Sequence, residues 1–144
     1  MVFLQKRIAE LLQGIPEIQG VPVYTEDKAD LSFLIASEIS KNTALCVAIQ
    51  TSRGNESESA MGVGLINETI VISFFASMLA DKAKPLLPII ESAIYAIHEA
   101  PGQPSNVATD SCFRVTGHDA IATPVGTAGH SITAEILWAF ESRN

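Results

Sequence analysis

Between Ser131 and Glu141 the chain alternates: Ile132, Ala134, Ile136, Trp138 and Phe140 are apolar, and Ser131, Thr133, Glu135 and Glu141 stand among the residues between them. Period two predicts a strand with one face on a core. The same pattern puts Ile70, Ile72, Phe74 and Ala76 on one face of a strand over Ile66–Ala76. Thr43 to Thr51 is short and nearly continuously apolar, which suits a central strand covered on both faces. These two segments read as a hairpin with long arms. A strand over Ser111–Val125, with Phe113, Val115 and Ile121 inward, forms a second hairpin with the last strand through the turn at Gly126–Gly129. Gly117 and Pro124 predict a bulge or a break in it.

Three segments carry helical spacing instead. Leu4, Ile8, Leu11, Leu12 and Ile15 share one face, and Gly14 and Pro16 end that helix. Leu31, Leu34, Ile35 and Ile39 predict a second helix, with Asp27 or Asp30 as its N-cap. Leu86, Ile90, Ala93, Ile94 and Ile97 predict a third, with Pro85 in the first turn. Pro22 lacks a ladder donor, so a strand at Gly20–Tyr24 is short or at an edge. The order is α-β-α-β-β-α-β-β. It predicts a single α+β domain over 1–144, a largely antiparallel sheet with amphipathic helices packed on it.

Ser52 to Gly64 breaks every period. It reads as a long flexible loop, and loops of that length in compact domains are usually functional. Gly62 and Gly64 echo a phosphate-binding turn, but a strand follows where a helix is needed, and the third glycine is missing. The stronger reading is an extended hairpin arm that orders on a neighbouring subunit, with Arg53, Asn55, Glu56, Glu58, Met61 and Val63 as its contact residues.

Composition sharpens this picture. Hydrophobic residues are 47% of the 144, but charged residues are only 17%, below the roughly 25% of ordinary soluble domains. A well-packed monomer with a Ser/Thr-rich surface fits, and so does a surface partly covered by identical neighbours, because interface cores are depleted in charge. The formal net charge of −7 and nine thinly spread Lys and Arg argue against tight nucleic-acid binding and against an anionic membrane. No stretch reaches the ~18 apolar residues of a membrane span, and the N-terminal order of charge and apolar residues is not that of a secretory signal. The expectation is a cytosolic protein.

Candidate chemistry is thin. His98, His118 and His130 are scattered, and no catalytic, cofactor or metal motif surrounds them. His118 and His130 can face each other across the terminal hairpin. Cys46 and Cys112 have no ligand spacing and read as two reduced, buried thiols. The acidic run Glu26, Asp27, Asp30 reads as helix capping. No cofactor, metal or enzymatic activity is expected. The alternative is a small ligand-binding domain or enzyme with its site near the 111–130 hairpin.

In its layout the chain resembles the tail-terminator and tail-completion proteins of long-tailed phages and prophages. The resembling features are Phe3–Leu12, Gly20–Tyr24 before a second helix, Leu45–Ile49, the segment 52–64, Thr69–Phe75, the helix Pro88–Glu99 and the final hairpin. The resemblance implies an α+β subunit of a ring, commonly six-fold, that caps the tail tube at the junction with the head. It implies other tail or head-completion proteins as partners, and a life in the host cytoplasm during assembly and in the virion tail afterwards. It brings no catalytic residues.

Overall fold

A computed structural model of the chain describes residues 2–27, 30–60, 63–80, 85–102 and 111–141. In chain order the elements are α1 (Val2–Gln13), β1 (Val23–Tyr24), α2 (Leu31–Ser40), β2 (Cys46–Ala60), β3 (Val63–Ser77), α3 (Leu86–Ile97), β4 (Arg114–Ala120) and β5 (Thr127–Glu141), with a single 3₁₀ turn at Pro16–Ile18. The strands form one sheet in the order β1-β2-β3-β5-β4. Only the β1–β2 pair is parallel among these. The α+β class and the order of elements agree with the hydrophobic pattern.

Parity decides which side of the sheet each helix covers. Leu45, Val47 and Ile49 lie with Ile70, Ile72 and Phe74 and with Ile132, Ala134 and Ile136 in one cluster. Leu4, Ile8 and Leu12 of α1 and Ile89, Ile90, Ala93 and Ile97 of α3 close over it. Each such aliphatic side chain taken fully from water is worth about 1.5–3 kcal/mol. The alternate residues Cys46, Ala48 and Phe75 meet Ile35, Leu31 and Ile39 of α2 in a second, smaller cluster. The helices therefore sit on both faces, and β2 is apolar at both parities because it is covered on both. Asp30 starts α2, its carboxylate accepting from the Ser32 N–H at 2.9 Å.

Pro22 has the effect that its chemistry requires. β1 is two residues long at the sheet edge, and the Pro22 carbonyl accepts from Val47 N at 2.9 Å. The first strand of the last hairpin is shorter than 111–125. It runs over Arg114–Ala120, with a bulge between Val115 and Gly117.

In its described residues the segment 52–64 is strand where a flexible loop is expected, and it extends the β2–β3 hairpin. Residues 52–60 belong to β2 and residues 63–64 to β3, and the ladder between the strands runs out to Ala60 opposite Val63. Backbone hydrogen bonds make a ladder without help from side-chain alternation. Bulges between Thr51 and Arg53 and between Glu56 and Glu58 shift the parity twice, so no single period spans the segment. Of the thiols, Cys46 is buried as expected, but Cys112 is exposed; both are free.

Candidate functional site

The predicted contact residues lie along the distal part of the β2–β3 hairpin. Arg53 pairs with Thr69, Asn55 with Asn67, Glu56 with Ile66 and Glu58 with Leu65. Val63 is opposite both Ala60 of β2 and Glu141 of β5. Met61 lies outside the described residues. The structure adds a third strand that sequence reasoning did not attach here: β5 runs beside β3 as far as Glu141. Among the described residues, β1 pairs with β2 only at Val47 and Ala48, and β4 pairs with β5 no further than Glu135. The distal extension is thus three strands wide with both outer edges unpaired within this chain's described residues. From Glu68, opposite Ile136, to Val63, opposite Glu141, it runs about 16 Å at ~3.3 Å per residue.

At the root of this extension the structure builds a polar relay that runs from the exposed Glu26 to the buried Glu68. Gln5 on α1 is 1% exposed and Glu68 on β3 is 2% exposed. Glu26 Oε1 accepts from Gln5 Nε2 at 2.8 Å and from Thr51 N at 2.6 Å, and the Glu26 N–H donates to Gln5 Oε1 at 2.9 Å. Gln5 Nε2 also donates to Thr51 Oγ1 at 3.1 Å, and that hydroxyl donates to Glu68 Oε2 at 3.0 Å. Trp138 Nε1 donates to Glu68 Oε1 at 3.2 Å. One hydroxyl that accepts on one side and donates on the other joins both halves. The relay ties α1, the β1–α2 connection, β2, β3 and β5 together. It borders a cleft of about 510 Å³ walled by Val2, Phe3, Gly54, Ile66 and Trp138. Phe3 meets Trp138 edge-on at 5.3 Å between ring centroids.

A second polar group pins α2 to the sheet. Tyr24 Oη donates to Glu38 Oε1 at 2.8 Å, and Thr43 Oγ1 donates to Glu38 Oε2 at 2.5 Å. These bonds, Thr43 first, favour the carboxylate and hold Glu38 below its ordinary value. The bond to Glu38 raises the Tyr24 phenol to about 12. Burial, with Glu38 as the lesser cause, raises the Cys46 thiol to about 12, so its nucleophilic thiolate is scarce at neutral pH.

The two hairpin histidines do converge. His118 Nδ1 lies 2.8 Å from His130 Nε2, with the rings tilted by 33° and their centroids 5.0 Å apart. Burial and then His118 lower His130 below its ordinary value, while Asp119 opposes this. His98 is elsewhere and occupied: it caps α3, and its Nδ1 accepts from Val115 N at 3.0 Å. Among the described residues no three His, Cys, Asp or Glu side chains gather in one place. No helix among them is long and apolar enough to cross a membrane.

Sequence reasoning missed Gln5 and Glu68. Glu68 carries a readable signal, because it shares the parity of Ile70, Ile72 and Phe74. A polar residue in line with a buried row needs a buried partner, which Trp138 and Thr51 supply. Neither the protein-family models nor the curated proteins contain a match to this chain.

Proposed function

We propose that the chain is a ring-forming structural subunit of a phage or prophage tail, a terminator or completion protein at the tail–head junction. The observation that carries this reading is the three-stranded extension formed by the distal parts of β2, β3 and β5. Unpaired strand edges are templates for another chain. A heterologous contact, in which an extension on one copy meets a different surface on the next, closes into a ring when the rotation fits. Arg53, Asn55, Glu56, Glu58, Met61 and Val63 remain the proposed contact residues, now placed on paired strands rather than on a loop, Met61 excepted. The sparse charge favours surfaces that copies can cover, and the net charge of −7 lets DNA pass without adhering. The proposed partners are copies of itself and neighbouring tail or head-completion proteins, first in the host cytoplasm and then in the virion tail.

Light scattering on the purified full chain, with negative-stain imaging, tests this. The expected result is a closed ring with a mass several times 15.4 kDa. A monomer at every soluble concentration would overturn the reading. Replacing residues 57–64 by a short glycine turn is expected to abolish the ring while leaving the circular dichroism of the body. Unchanged assembly of that variant would remove the extension from the interface.

One observation favours a second reading, a ligand-binding domain or enzyme with its site at the 111–130 hairpin: the convergence of His118 and His130. A monomer that loses a ligand or an activity on His118→Ala or His130→Ala would decide for it.

A further inference from the structure

The bulge in β4 aims one histidine at the other. Val115 is opposite Ala134, but after the bulge Gly117 is opposite Thr133 and His118 opposite Ile132. A regular ladder would set position 118 opposite Ser131, on the other face of the sheet. The extra residue, Thr116, instead brings His118 to the side of Ile132 and His130, where the two imidazoles are diagonal neighbours.

Their nitrogens then stand at a distance with a chemical meaning. Two imidazoles bound to one metal at about 2.0–2.1 Å are about 2.9 Å apart when cis at a right angle, and about 3.3 Å apart in a tetrahedron. The observed separation is 2.8 Å, the length of the hydrogen bond between the rings and close to the cis value. Right-angled nitrogen pairs belong to tetragonal or octahedral ions such as Cu²⁺ and Ni²⁺, for which imidazole is a good ligand. We propose that His118 Nδ1 and His130 Nε2 form a bidentate site for a divalent ion of the Cu²⁺ or Ni²⁺ type. Among the described residues no third side-chain ligand joins them, so water or an added ligand fills the other positions. The ion replaces the proton shared between the two rings and clamps β4 to β5. The inference rests on the hairpin alone and holds whether or not the chain forms rings.

The test is calorimetric titration of the full chain with Ni²⁺ and with Zn²⁺ at neutral pH in a non-coordinating buffer, and an electron paramagnetic resonance spectrum with Cu²⁺. One equivalent of Ni²⁺ is expected to bind, more tightly than Zn²⁺, and the Cu²⁺ spectrum is expected to show coupling to nitrogen. His118→Ala and His130→Ala are each expected to weaken Ni²⁺ binding by at least about tenfold, the lower end of what even an outer-shell partner contributes to a metal site. His98→Gln, which removes the other imidazole, is expected to change nothing. Saturable binding that is absent, or equally strong in both alanine variants, would overturn the proposal and leave the pair a simple hydrogen bond. Tighter binding of Zn²⁺ than of Ni²⁺ would overturn the right-angled geometry on which it is built.

Discussion

The relay from Glu26 to Trp138 and the pair His118–His130 are both polar contacts between strands, but they sit in different surroundings. Glu68 and Gln5 are almost fully buried, at the wall of the cleft beside Trp138. His118 is exposed at the last strand of the sheet, and water can replace any partner it loses. In the first place a missing bond leaves a buried group without a substitute, and in the second it does not. The relay is therefore an element of the fold, and the histidine pair is free to be an element of binding.

That contrast can be tested from its strongest side. Glu68→Ala withdraws the acceptor from Trp138 Nε1 and from Thr51 Oγ1, and unmet buried groups cost roughly 1–3 kcal/mol each. A loss of about 2–4 kcal/mol in urea unfolding is expected on that basis; a loss of a few tenths would show that water enters the relay. Trp138→Phe keeps a ring against Phe3 but deletes the donor to Glu68, and about 1–2 kcal/mol is expected. The Tyr24–Glu38–Thr43 group lies between the two extremes and responds to pH. Glu38 is lowered on folding, so its contribution is present above the ordinary value of 4.5 and is lost as pH falls through the folded value. Tyr24 is raised, so its contribution is present below 10.0 and is lost as pH rises through about 12. Melting curves of Glu38→Gln should lose part of the acid dependence of the parent, and an identical pH profile would contradict the assignment. The smallest effects are expected at the hairpin. His118→Ala and His130→Ala should each change metal-free stability by no more than about 0.5 kcal/mol, measured by the same urea titration. A large loss there would mean that the pair supports the sheet.

Much of this architecture is legible in the residues. β3 keeps one apolar parity from Ile70 to Ala76 and β5 from Ile132 to Trp138, and Leu4–Leu12 and Leu86–Ile97 keep one helical face, so burial and periodicity report the same thing. Continuous apolarity from Ala44 to Ile49 correctly signals cover on both sides of β2, which α2 provides on one. The distal strands are illegible because both bulges move the parity within a few polar residues. Glu68 belongs in solvent by its type, although its position places it in line with Ile70 and Ile72. Cys112 follows the same rule in reverse, an apolar-looking residue that faces water. The histidine pair was foreseeable as neighbours across a hairpin, but its spacing depends on the Thr116 bulge, whose consequence for side-chain direction only a register can show.

The position of β5 between β3 and β4 sets a timetable for synthesis. β3 ends at Ser77 and β5 begins at Thr127, 50 positions later (127 − 77). At ~5–20 residues per second a ribosome needs about 3–10 s to cover that interval. Throughout it the β2–β3 hairpin holds an open edge, and β4, finished at Ala120, also waits for β5. The edge of β3 that β5 covers therefore stays open to any other strand until β5 is made.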